Sequence, residues 1–125
     1  MIEYKVLNEV YNDIVTKKKD TEIRLLNEKS SSIKIGDTIK FKVLDNEDIF
    51  VDTKVINLKI YNNVEEIWDE YQNKNLLSTI NSLDEFKNVM YSIFTKEKVD
   101  RSKIIGIQFK MLEKAKKVFI WNIFI

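Results

Sequence analysis

Apolar and polar residues alternate with a period of two in several short stretches, and these predict most of the strands. Ile2, Tyr4 and Val6 alternate with Glu3 and Lys5 over Ile2–Leu7. Thr21, Ile23 and Leu25 form one face of a second stretch, with Glu22 and Arg24 on the other. Ile39, Phe41 and Val43 alternate with Thr38, Lys40 and Lys42, and Ile105, Ile107, Phe109 and Met111 with Gly106, Gln108 and Lys110. Ile49–Ile60 changes phase: Val51, Thr53 and Val55 share one face, then Ile56, Leu58 and Ile60 the other. A switch near Val55-Ile56 predicts a bulge, or a strand buried on both sides where a barrel closes.

Between the strands the period lengthens to that of a helix. Val10, Tyr11, Ile14 and Val15 share a face behind a capping Asn8. Val64, Ile67, Trp68 and Tyr71 do the same, and Ser82 with Glu85 forms a capping-box pattern ahead of Leu83, Phe86, Val89, Met90, Ile93 and Phe94. Asn27–Ser32, Asn73–Asn81 and Lys96–Lys103 read as loops, and Gly36-Asp37 and Asp45–Asp48 as turns. Val118–Ile125 is apolar on both faces and rich in β-branched and aromatic residues, which predicts a last strand. Left exposed, such a strand would invite aggregation, so it is expected to pair within the barrel or across a homodimer.

Composition narrows the chemistry. The 125 residues suit one domain, 44% hydrophobic and 33% charged, with a net charge of +1. Any anion site must therefore arise from local clustering. Cys and His are both absent, which removes thiol nucleophiles, disulfides, the usual zinc sites and imidazole acid–base catalysis. No metal and no cofactor is expected. No signal-peptide core or membrane-spanning apolar run is visible, so the expectation is a cytoplasmic protein without a membrane partner.

Candidate chemistry concentrates in Thr16–Phe41. Lys17, Lys18 and Lys19 follow the first helix, where cations also complement the free carbonyls of the last turn. Period-two geometry places Glu22 and Arg24 on the same side of their strand, roughly 7 Å apart. Such a pair is either a surface ion pair or part of a site.

The chain resembles the ASCH family (activating signal cointegrator homology) of the PUA-like group. The residues that carry the likeness are Lys17-Lys18-Lys19-Asp20-Thr21, Glu22-Ile23-Arg24-Leu25, Ile33-Lys34-Ile35-Gly36-Asp37-Thr38-Ile39-Lys40-Phe41 and Ile104-Ile105-Gly106-Ile107. The resemblance implies an α+β fold, a small PUA-like β-barrel of five to six mixed strands with two to three flanking helices over residues 1–112. Residues 113–125 would then form a strand-like extension of the same domain. It also implies one ligand-binding cleft formed by Lys19, Glu22 and Arg24, with Lys17 or Lys18 at its rim and Asp37 nearby. Two positions depart from the family pattern. Lys17 replaces the usual Gly of the basic turn, where a positive φ would be strained or reshaped, and Ile93-Phe94 replaces tyrosines.

Three functions remain open. The first is a binder of RNA or a modified nucleoside, with cations on phosphate and Glu22 on a base amine; Tyr11, Tyr61 and Tyr71 are its candidate stacking aromatics. The second is an amidohydrolase of N4-acetylcytidine-like substrates, as in one branch of the family, with Lys19 and Glu22 as catalytic residues. Glu22 stands where that branch has Thr, and its further Glu falls near Thr79, with no acid between Asn73 and Asn81. A lysine serves as a base when burial lowers its pKa, and a neighbouring carboxylate opposes that. The third is a protein-interaction module acting through the apolar tail.

Overall fold

Five strands join into one mixed sheet in the order β1-β3-β4-β5-β2, in a computed structural model that describes residues 1–71 and 80–112. The strands are β1 (Ile2–Val6), β2 (Thr21–Leu25), β3 (Thr38–Val43), β4 (Asn46–Tyr61) and β5 (Ile104–Met111). Only β1 and β3 run parallel; the other three pairings are antiparallel. The sheet curls into a half-barrel, so that its outermost strands, β1 and β2, approach each other through side chains.

The alternation read from the sequence sorts residues onto the two faces. Tyr4, Ile39, Phe41, Val51, Val55, Ile105, Ile107 and Phe109 fill the concave side with Ile14 of α1 (Asn8–Val15). On the convex side Leu25, Tyr61 and Ile104 pack against Val64 and Ile67 of α3 (Val64–Tyr71), Phe86 and Met90 of α4 (Leu83–Phe94) and Val99 of α5 (Lys96–Arg101). Each fully buried side chain of this size contributes roughly 1.5–3 kcal/mol, so both faces carry real stabilisation. Ile23 packs on the convex cluster but is only partly buried. Gly106 passes under the Tyr61 ring, where an added Cβ would lie 3.3 Å from Tyr61 Cε2.

The expected phase switch is present: the β4–β5 register slips between Val55 and Asn57. After the bulge Tyr61 is buried on the convex side opposite Ile104, while Ile60, opposite Ile105, is exposed. The β3–β4 turn is tighter than expected, only Leu44-Asp45, because β4 already begins at Asn46.

Helices number five among the described residues, against the two to three expected, because two polar segments read as loops are capped turns of helix. In α2 (Glu28–Ser31) Asn27 Oδ1 accepts from the Ser30 N–H at 2.9 Å, and Ser30 Oγ accepts from the Asn27 N–H at 2.9 Å. In α5 the Thr95 hydroxyl accepts from the Lys98 N–H at 3.4 Å. Thr95 itself has φ +68° and ψ 147°, a region that favours glycine. The cap of α1 is Leu7, not Asn8, and it makes no side-chain hydrogen bond. Ahead of α4, Ser82 accepts from the Glu85 N–H, while the Glu85 carboxylate takes the Asn81 N–H.

No helix of the described residues is long and apolar enough to cross a membrane. The expected strand Val118–Ile125, the homodimer contact through it and most of the Asn73–Asn81 connection lie outside the described residues.

Candidate functional site

The basic turn is built by the way α1 ends. The Lys17 N–H donates to Ile14 O at 3.1 Å and the Lys18 N–H to Asp13 O at 2.8 Å, the paired bonds of a Schellman motif. That motif places Lys17 in the left-handed region, at φ +62°. The lysine standing for the family's glycine therefore keeps the positive φ instead of reshaping the turn. The Lys19 N–H also donates to Asp13 O, at 2.9 Å. The chain then swings inward: Lys17 and Lys18 are exposed, whereas Lys19 is buried.

Strand β2 continues that inward course. Its residues pair with β5 as Glu22↔Ile107 and Arg24↔Ile105, so both charged side chains share the concave face with two core isoleucines. Lys19 Nζ lies 3.3 Å from Glu22 Oε1, and Arg24 Nη2 lies 2.9 Å from Glu22 Oε2. Arg24 Nε also donates to Oε2, at 3.3 Å. Side-chain exposures of 6% for Lys19 and 9% for Glu22 remove the surface ion-pair reading for these two; Arg24, at 22%, reaches outward. Burial pushes the Glu22 carboxyl up, but the Lys19 and Arg24 charges and their hydrogen bonds outweigh it, holding the group below its ordinary 4.5.

Across the barrel opening stands Tyr4 of β1. The Arg24 guanidinium carbon lies 4.1 Å from the Tyr4 ring centroid and Lys29 Nζ lies 4.2 Å from it. Lys29 Nζ also donates to the backbone carbonyl of Glu3. Burial pushes the Tyr4 phenol above its ordinary 10.0; the Arg24 charge opposes this and the Glu22 charge adds to it. An open groove of about 770 Å³ runs here, lined by β1 residues including Ile2, Tyr4 and Lys5 and by Arg24, Asn27 and Lys29.

The structure thus brings Lys19, Glu22 and Arg24 together, with only Arg24 reaching the groove. Lys17 and Lys18 sit outside on the turn. Asp37 has a local job: its carboxylate accepts from the Lys34 N–H at 2.9 Å, and its backbone carbonyl from the Val55 N–H at 2.8 Å. Among the candidate aromatics, Tyr11 packs on the barrel core, Tyr61 is buried with its hydroxyl on Glu70 at 2.6 Å, and the Tyr71 side chain lies outside the described residues. Sequence reasoning missed Tyr4 and Lys29. Alternation marks Tyr4 only as a core position; its partnership with Arg24 depends on two strands at opposite ends of the sheet order. No cluster of three or more potential metal ligands occurs among the described residues.

Neither a protein-family model nor a curated protein matches the sequence. Solved structures do. The crystal structure of hypothetical protein PH0355 superposes with a TM-score of 0.76 at 24% identity, covering 88% of this chain and 97% of that one. Protein PF0455 from Pyrococcus furiosus gives 0.71 at 27%, covering 90% and 97%. A mutant of ZmASCH from Zymomonas mobilis gives 0.62 at 14%, covering 86% and 66%. The fold is therefore that of a small PUA-like α+β half-barrel, and within that class it is the ASCH fold.

Proposed function

We propose that the groove between β1 and β2 binds RNA or a nucleoside-like ligand, with Arg24 as the principal contact. The observation that carries this reading is the placement of Arg24. Its Nε and Nη2 are tied to a buried Glu22, while Nη1 makes no hydrogen bond among the described residues. An arginine fixed on one edge and open on another presents ready donors to a phosphate or a base edge. The positive charge of Arg24, partly exposed at the groove, favours an anionic or electron-rich ligand beside it.

Energetics support a site over a structural brace. Taking ions out of water costs several kcal/mol each, so a buried pair is weak evidence of a stabilising role. Apolar residues could fill the same space against Ile105 and Ile107. The amidohydrolase alternative needs Lys19 as a base. Here its ammonium is one of two cations on Glu22, and the position of the further carboxylate, near Thr79, lies outside the described residues.

Calorimetric titration with cytidine, N4-acetylcytidine and short single-stranded RNA tests the reading. Arg24→Ala should weaken binding by about 1–3 kcal/mol, the range for a good bidentate contact. Binding that is unchanged in Arg24→Ala overturns it. Acetate released from N4-acetylcytidine, and lost in Lys19→Ala, would restore the hydrolase.

A further inference from the structure

The outward residues of β1, β3, β4 and β5 form a lysine face that the groove alone does not explain. The strand registers place Lys5 directly opposite Lys42, and Lys54 directly opposite Lys110. Lys40 stands between these pairs, opposite Asp52. Like charges facing each other across a sheet are destabilising. The first pair is relieved by carboxylates, Lys5 by Glu47 at 3.4 Å and Lys42 by Glu3 at 3.0 Å. Lys54 and Lys110 are both exposed and have no ion-pair partner among the described residues. Phe50 lies on the same face, 44% exposed, with Lys40 Nζ 4.2 Å from its ring centroid.

We propose that this face holds the phosphodiester backbone of an RNA strand whose neighbouring nucleotide occupies the groove, so that the ligand is a polynucleotide rather than a free nucleoside. The proposal rests on the nucleic-acid reading of the groove. Two observations join the surfaces. Glu3 and Lys5 line the groove and also stand on the lysine face. An exposed aromatic among the cations suits single-stranded nucleic acid, whose bases stack on such rings while lysines track the backbone. An acidic protein segment would use the charges but neither the ring nor the connection to the groove.

The test measures the affinity of an eight-nucleotide single-stranded RNA against salt for the wild type and for Lys54→Gln/Lys110→Gln, with cytidine and polyglutamate as comparison ligands. Both substitutions are on the surface, and matching thermal unfolding confirms an intact fold. The double variant should bind cytidine unchanged and RNA more weakly. Its log K against log salt slope should be shallower by about 1.4, the value for two single-strand phosphate contacts. RNA binding with unchanged affinity and slope overturns the lysine-face proposal while leaving the groove reading intact. Polyglutamate binding as tightly as RNA overturns it in favour of an acidic protein partner. Failure of the wild type to bind either cytidine or RNA overturns both readings.

Discussion

Two of the charge clusters among the described residues combine Lys and Arg with carboxylates, and they behave as opposites. On α5, Lys96–Asp100 and Arg101–Glu97 are spaced i,i+4 on a helix surface, with side-chain exposures between 48% and 79%. At the start of β2, Lys19–Glu22–Arg24 is folded into the barrel, with exposures between 6% and 22%. Water screens the first group and competes for its hydrogen bonds. It is largely excluded from the second, where each charge depends on its partners. Spacing in the sequence does not tell these clusters apart; burial does.

The sharpest way to break the contrast is Glu22→Gln. It keeps the volume but removes the buried carboxylate that both Lys19 and Arg24 touch, and should cost roughly 3–5 kcal/mol in denaturant unfolding. The acid limb follows with a definite sign. Glu22 titrates below its ordinary 4.5 in the fold, so its contribution is complete above about pH 4.5 and is lost as pH falls through the folded-state pKa. Wild-type stability should decline on acidification through that window, and Glu22→Gln should show a shallower decline.

A smaller effect, of opposite sign, is expected at the turn feeding the cluster. Lys17→Gly relieves a left-handed lysine at φ +62° and should stabilise the protein by about 0.5–1 kcal/mol, after allowance for the greater freedom of an unfolded glycine. A shift of the unfolding midpoint to lower denaturant would contradict the Schellman assignment. Smallest of all is Glu97→Ala on α5, for which no measurable change in midpoint is expected.

Much of the fold was legible because binary patterning is a local signal. The faces of β3 and β5 follow from alternation alone, and the bulge beside Ile56 is one of the two outcomes that its phase switch allowed. The short helices α2 and α5 were not legible, since each depends on a cap, Asn27 with Ser30 or Thr95, and neither has an apolar stripe long enough to announce it. The site divides in the same way. The partnership of Glu22 and Arg24 follows from period two within one strand. That Lys19 is buried, that Asp37 serves its own turn and that Tyr4 meets Arg24 all depend on how the sheet curls. No spacing along the chain encodes that contact.

The central claim is that buried Glu22 holds one edge of Arg24 so that the other is free for ligand. The side-chain Nε–H resonance of Arg24, assigned through its loss in Arg24→Lys and followed by nitrogen-15 NMR during titration with short single-stranded RNA, tests it most directly. The account predicts a resolved, exchange-protected signal in the free protein that shifts progressively with ligand. An unprotected signal that stays in place while RNA binds and other resonances move would contradict it.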